Sequence, residues 1–311
     1  MKKKIFKFIS LCLIVGLMMS LFAGCGEEEE VLSKEEKIIQ NSSFIKPSQN
    51  DDFKYKIYED YIAITSYIGG QTSVTIPKEI EDKPVYVIED EAFEGNDVIK
   101  DVTIDNNVRK VGESCFESCS ELISVKMSEN VKEIPASCFA DCTQLKEFEF
   151  SKAVKVIGNS AFNSCNGLTE IIIPGNIETI DSYAFSGCEN VKTVTIIDGY
   201  TNNKDDDGNY IGIEKTIGDG AFGSLLMCEN IIVGKNIKEL DESVFNYAGY
   251  DLGKDQEVDG QKKPETMFYG YAPSTICTYC ASNRLKFTEI KENDEFDKIL
   301  QVNYPKSDTK K

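Results

Sequence analysis

A phenylalanine returns every 23 residues through the middle of the chain, at Phe116, Phe139, Phe162 and Phe185. Whole units realign around it without a gap: VTIDNNVRKVGESCFESCSELIS from Val102, VKMSENVKEIPASCFADCTQLKE from Val125, FEFSKAVKVIGNSAFNSCNGLTE from Phe148 and IIIPGNIETIDSYAFSGCENVKT from Ile171. A fixed period of this length predicts stacked coils, because no single unit can bury its apolar face without its neighbours. The pattern extends back to Phe93 with about five additional residues around Glu81 to Val85. It extends forward to Phe222 with 14 additional residues, and to Phe245 on schedule. About seven coils are expected over residues 74–266, with insertions near 198–212 and 246–265.

Within a unit, Leu122, Val125, Met127 and Asn130 fit the spacing L-x-x-L-x-L-x-x-N. So do Ile99, Val102, Ile104 and Asn107, and Leu168, Ile171, Ile173 and Asn176. Cys228, Ile231, Val233 and Asn236 fit with Cys in the first slot. This is the pattern of a leucine-rich repeat. Apolar residues two apart place both side chains on the inner face of a short strand. The Asn amide can bond backbone groups where the chain turns out of that strand. Ala153 interrupts the Asn column, so that coil must satisfy its corner otherwise. The expected fold is a solenoid of short parallel strands with an irregular or helical convex side, α/β in class.

The run Ile157-Gly158, Ala161-Phe162, Cys165, Leu168, Ile171 and Ile173-Pro174 resembles the BspA-type leucine-rich repeats of bacterial surface proteins. Met267 to Tyr271, Ser274-Thr275, Tyr279-Cys280-Ala281 and Lys286-Phe287 look like that family's C-terminal cap, here 267–290. Tyr55 to Ile64, Gly69-Gly70 and Val74 to Pro77 look like its N-terminal hairpin, here 53–73. The resemblance implies a surface solenoid engaged in recognition such as adhesion. It implies no ligand.

The first residues carry a different message. Lys2, Lys3, Lys4 and Lys7 precede an apolar run from Phe8 to Ala23, followed by Gly24 and Cys25. A basic start, a short apolar core and small residues before a cut predict a signal peptide over 1–24. Leu21-Phe22-Ala23-Gly24-Cys25 resembles a bacterial lipoprotein box, with Phe22 where Leu is usual, and implies lipidation of Cys25. More than one acyl chain gives a stable anchor, so an extracytoplasmic, membrane-held protein is expected. Residues 25–52, with the acidic run Glu27 to Glu30, read as a flexible tether. Residues 291–311 read as a charged tail.

Composition narrows the function. The net charge is -19, which repels nucleic acid and anionic headgroups and suits basic partners. There is no His, so Ser-His-Asp and Cys-His catalysis and His-ligated zinc are excluded. Cys119, Cys142, Cys165 and Cys188 form one column, and Cys115 and Cys138 another that exchanges with Ala92, Ala161, Ala184 and Ala221. That exchange predicts small buried packing residues, although neighbours in a column stand close enough for a disulfide. Cys277 and Cys280 form a lone C-x-x-C with no second pair, and read as residues of the cap helix.

Two candidate sites emerge. Asn203, Asp205, Asp207 and Glu214, with Gly208, have the spacing of a calcium loop. Asn at the first ligand position, Tyr210 at the eighth and flanks without helices depart from that pattern, and an Asp-Gly hairpin explains the same residues. The second candidate is the outward face of the strands: Asp101, Thr103, Ser124, Lys126, Glu147, Glu149, Glu170, Ile172, Thr193 and Thr195, with Ile232 beyond them. Such a ladder has no core duties and is the default recognition surface of a repeat protein. Clustered Glu147, Glu149 and Glu170 also have the residue type of a glycosidase pair, but repeats expose acids at regular intervals without catalysis.

The sequence therefore describes a non-enzymatic, lipid-anchored surface protein that binds a protein or glycan and needs no cofactor unless the calcium loop is real. An envelope-assembly role without external ligand, and more remotely a carboxylate-based glycan-active enzyme, are the alternatives.

Overall fold

Alternation in Val102-Thr103-Ile104 and its equivalents becomes a ladder of short parallel strands. The computed structural model describes residues 32–300 except 207, 242, 246–256, 259, 260, 263 and 293. The chain divides into Met1–Lys34 and Glu35–Lys311, and the repeats form the second unit. The signal peptide, Cys25 and the run from Glu27 to Glu30 lie outside the described residues, as does most of the insertion near 246–265.

The first ladder contains Ser73–Ile76, Asp101–Ile104, Ser124–Lys126 and Glu147–Glu149, all parallel. A second group follows it: Glu170–Ile173, Thr193–Ile196, Asn230–Val233, Met267–Gly270 and Phe287–Glu289. Val102 pairs with Val125 and Val125 with Phe148, so each inward residue stands over its counterpart one period away.

Glu133–Ile134, Val156–Ile157, Thr179–Ile180, Lys215–Ile217 and Ile237–Leu240 make a further parallel ladder on another side of the coils. Lys110–Val111, Lys83–Ile88 and Ile62–Tyr67 are also joined in parallel. That sheet closes with antiparallel Phe53–Tyr58 and Phe44–Gln49. Glu79–Ile80 forms a small hairpin with Lys83–Ile88. The 14-residue insertion is a hairpin of Gly199–Lys204 and Tyr210–Ile213.

The remaining side of each coil is built of turns. Ser114 N–H donates to Ala136 O (3.0 Å), Phe116 N–H to Cys138 O (2.8 Å) and Ser118 N–H to Ala140 O (2.8 Å). The same bonds recur in neighbouring coils. They need left-handed backbone at two columns: Glu91, Ser114, Ser137, Ser160, Tyr183 and Gly220, and Gly95, Ser118, Asp141, Ser164, Gly187 and Ser224, with φ between 51° and 75°. Most of these are not glycine, and nothing in the sequence pattern marks them, because each costs only a little backbone strain that the bonds between coils offset.

Helices are few. Among the described residues they are Lys34–Asn41, Thr275–Asn283 and Glu295–Leu300. None is long and apolar enough to cross a membrane. Thr275–Asn283 starts at Ser274, whose hydroxyl accepts from Cys277 N–H, and ends at Arg284 in the left-handed conformation.

The centre is a column of rings. Tyr67, Phe93, Phe116, Phe139, Phe162, Phe185, Phe222 and Phe245 stack with centroids 4.8–5.8 Å apart. The column ends edge-on against Phe268 and Tyr279. Each buried ring contributes roughly 1.5–3 kcal/mol by leaving water. Beside it, Cys119, Cys142, Cys165 and Cys188 donate their thiols to the carbonyls of Phe93, Phe116, Phe139 and Phe162 in the coil before, at 3.1–3.2 Å. All nine thiols from Cys115 onward are free, and eight of them are buried. The cysteine column is thus core, and each thiol bonds the adjacent coil.

The Asn column behaves as its position implies. Asn107 donates to Lys78 O, Asn130 to Asn106 O and Asn236 to Gly199 O, each a carbonyl of the preceding coil. At the coil with Ala153, the next Asn compensates: Asn176 Nδ2 reaches both Ser151 O (3.2 Å) and Val154 O (2.6 Å).

Two stretches differ from expectation. Part of the segment read as a flexible tether is ordered, as Lys34–Asn41 and Phe44–Gln49. Ile38 and Ile39 pack on a patch of Tyr61, Ala63 and Val87, and Phe44–Gln49 pairs antiparallel with Phe53–Tyr58, with a bulge at Ile45 and little side-chain burial. A charged, polar composition hides a strand that is held by its backbone. The charged tail likewise contains Glu295–Leu300, whose Leu300 is buried against Ile232 and Ile290.

Candidate functional site

The outward strand face has two halves. In the first, Asp101, Thr103, Lys126, Glu149 and Glu170 are exposed, Ser124 and Thr193 are half-buried, and Ile172 is 48% exposed. The side chain of Glu147 lies outside the described residues. Toward the C-terminus the face is covered. Ile232 is buried in a cluster with Ile290, Leu300, Tyr269, Tyr271 and Phe296, and Tyr271 donates to Asp297 Oδ1 at 2.6 Å. Thr195, in register with Ile232, is buried as well. Ile232 therefore leaves the accessible face, because the helix Glu295–Leu300 packs over it, and Thr195 beside it is buried too. The signal for this was the four-residue spacing of Phe296 and Leu300 inside a charged stretch.

Between the halves the ladder is open. Glu147–Glu149 pairs with Ser124–Lys126, and Glu170–Ile173 with Thr193–Ile196, but among the described residues these two strands do not pair with each other. The same two coils are joined elsewhere. Val156–Ile157 pairs with Thr179–Ile180, and Phe162 N–H donates to Ala184 O at 2.7 Å. The opening is confined to the strand side.

Its cause is side-chain size. Inward positions hold Val102 and Ile104, Val125 and Met127, or Ile171 and Ile173 in neighbouring coils, but Phe148 and Phe150 here. Phe148 packs edge-on against Phe139 (5.2 Å) and Phe162 (4.7 Å), and Phe150 against Phe162 (5.8 Å). Neither Phe148 nor Phe150 is fully buried. A slot shaped for aliphatic side chains cannot take two more rings beside the central column without its walls moving apart.

The opening is a cleft of about 350 Å³ with a floor of Phe148, Phe150, Phe162, Leu168 and Ile171. Lys146, Glu149, Thr169 and Glu170 stand around it. Glu149 also borders a neighbouring hollow with Ser124, Lys126, Met127 and Lys152. An apolar floor with a few charged groups at the rim is the usual make-up of a binding site. Of the residues read as a ligand face, the structure brings Glu149, Glu170 and Ile172 to this cleft and leaves Asp101 and Thr103 further along the ladder. Phe148 and Phe150 belong to the site although their alternation marked them only as core.

The hairpin at 199–213 carries the candidate calcium residues around a tight turn. Asp205 Oδ1 accepts Asn209 N–H at 2.8 Å, and Gly208 N–H donates to Asp205 O at 3.0 Å, which is a tight turn. Asn203 lies within one strand of the hairpin, Glu214 follows the other, and Asp207 lies outside the described residues. Among the described residues no three His, Cys, Asp or Glu groups cluster as metal ligands.

At the base of this hairpin is a buried ion that sequence reasoning did not find. Lys215 Nζ donates to the carbonyls of Gly175 (2.9 Å), Pro174 and Ile177. Burial pushes its pKa down to about 8, against the opposing pull of Asp198 and Glu178. Asp198 is 1% exposed. Its Oδ1 accepts Asn236 N–H at 2.9 Å, its Oδ2 has no partner, and burial raises its pKa. The same repeat position holds Arg109, Lys132 and Lys155, so the sequence shows no sign that Lys215 alone turns inward.

Residues 64–192 match the BspA type leucine rich repeat region in six copies. Among solved structures, the chain is similar to a leucine-rich repeat protein of T. pallidum, with 23% identity and a TM-score of 0.46 over 58% of this chain and 89% of that one. It is also similar to one from Bacteroides ovatus, with 23% identity and a TM-score of 0.49 over 63% of this chain and 54% of that one. A third, from Bacteroides capillosus, has 27% identity and a TM-score of 0.34 over 48% of this chain and 97% of that one. No curated protein matches the chain.

Proposed function

We propose that this chain, whose residues 64–192 are BspA-type leucine-rich repeats, is a surface recognition protein that holds a partner on the open half of its strand face. Its seven coils, from the one at Phe93 to the one at Phe245, are closed by the segment 267–290. Cys25 is its lipid attachment point. The partner is a protein or a glycan outside the cell membrane.

The observation that carries this reading is the cleft between Glu149 and Glu170. It combines apolar floor and exposed acids on a face that the C-terminal helix leaves bare. An acidic rim favours a basic or hydroxyl-rich partner and speeds its approach.

The test is capture of matrix and envelope proteins and glycans by the whole chain. Glu149→Lys and Glu170→Lys should weaken capture about tenfold or more, while Glu113→Lys and Asp181→Lys should change it little. Equal losses at both pairs would place the site elsewhere. Cys25→Ser should release the chain from membranes; retention would refute the anchor.

A further inference from the structure

We infer that the open ladder accepts an extended, basic segment of a partner protein, which lies between Glu147–Glu149 and Glu170–Ile173 as an added strand. This rests on the strand face being the recognition surface.

Three observations point to a polypeptide strand. The first is the pair of edges. Each flanking strand keeps its parallel register with its outer neighbour and, among the described residues, has no strand partner across the gap. Backbone N–H and C=O groups at such edges are templates for another chain. Other repeat junctions on this side, such as Ser124–Lys126 with Asp101–Ile104, are closed.

The second is the floor. Side chains of a strand alternate between its two faces, so an added strand would point every other residue inward. Inward here means the 350 Å³ cleft over Phe148, Phe150, Phe162, Leu168 and Ile171, which suits an aliphatic side chain.

The third is the rim. Residues of the added strand that face outward would stand beside Glu149 and Glu170. Both acids are exposed, and among the described residues neither has an ion pair. The chain carries a net charge of -19, so Lys or Arg at those places is the complementary choice. A glycan would leave both strand edges unpaired. It would also meet rings packed edge-on against Phe162 in place of a flat aromatic platform.

The experiment titrates the whole chain with a fluorescent peptide of alternating valine and lysine, and follows amide hydrogen exchange in the same samples. The expected result is saturable binding with slowed exchange across 147–149 and 170–173. Methylating alternate backbone nitrogens of the peptide, or replacing its lysines with glutamates, should weaken binding about tenfold or more. Phe148→Val with Phe150→Ile restores the residue sizes of neighbouring coils and should close the gap and remove binding. Glu170→Lys, an exposed change that spares the fold, should weaken it independently.

Equal binding of the methylated peptide, or protection on another face, would overturn the proposal. So would a glycan, or a second copy of the chain, protecting the same strands in place of the peptide. Capture of a partner through Glu149 with no preference for the unmethylated peptide would sink strand insertion and leave the recognition face standing. Peptide insertion without any captured surface partner would sustain the cleft and refute the wider function.

Discussion

The ring of Phe148 stands edge-on to that of Phe162, with centroids 4.7 Å apart and planes at 74°. The other strands of the first ladder present Val74 and Ile76, Val102 and Ile104, and Val125 inward. At Phe148 a second aromatic layer leans on the column, and the ladder opens beside it. Polarity is unchanged there and only bulk differs, so the break is a packing effect.

Phe162 carries that layer and the column together, between Phe139 and Phe185. Phe162→Ala should cost about 3–5 kcal/mol, because the cavity cannot collapse while both neighbouring rings are held by their own coils. Urea denaturation of the whole chain measures it. A loss below about 1 kcal/mol would show that the rings are not the core of the stack.

The thiols test burial directly. Burial pushes Cys119, Cys188 and Cys228 up to about 12, and raises Cys115, Cys138, Cys142 and Cys165 as well. The thiolate is the reactive form. Among the thiols from Cys115 onward, only half-buried Cys277 should react with an aromatic disulfide under native conditions. Rapid labelling of Cys142 or Cys165 would contradict the packed column.

Alkaline pH should act on two buried groups in opposite directions. The folded chain holds thiol protons that the unfolded chain releases near pH 9, so this stabilisation is present below pH 9 and is lost as pH rises above it. Lys215 runs the other way. Its folded pKa of about 8 lies below its ordinary 10.5, so between those values the unfolded chain binds the extra proton and unfolding becomes less favourable. Eight buried thiols outweigh one lysine, so the urea midpoint should fall above about pH 9. Lys215→Met should make the fall steeper and earlier. An unchanged pH profile in that variant would show that Lys215 is not desolvated.

The corner at Ala153 lacks the amide that Asn130 supplies to Asn106 O at 2.8 Å. Asn130→Ala should cost about 0.5–1.5 kcal/mol by removing one of the two bonds to the exposed Asn106 carbonyl, which keeps that from Arg109 Nη1. Ala153→Asn should add about 0.5–1 kcal/mol by reaching the carbonyl level of Glu129. Thermal unfolding compares the two, and destabilisation by Ala153→Asn would show that Asn176 already satisfies that corner fully.

Much of this architecture could be read from residues. The Phe column, the V-x-I alternation, the buried cysteines and the Asn corners all repeat at one period, and repetition averages away local ambiguity. What escaped was whatever occurs once. Phe148 and Phe150 fit the apolar alternation as well as Val or Ile do, and that pattern is blind to volume. Phe44–Gln49 is held by backbone pairing, which leaves no periodic trace in its side chains. Leu300 reaches Ile232 from a segment whose charges dominate its composition. Lys215 occupies a column of charged residues, Arg109, Lys132, Lys155 and Glu178, and composition does not mark it as the buried one. The candidate site was legible as a face, through Glu149, Glu170 and Ile172, but its opening was not.

The central claim is that partners are held on the open strand face. Amide hydrogen exchange of the whole chain, alone and with a captured partner, tests it most directly. Protection concentrated on 124–126, 147–149 and 170–173, with no change in the turns at 114–118 and 137–141, is the predicted result. Protection of those turns, with the strands unchanged, would contradict it.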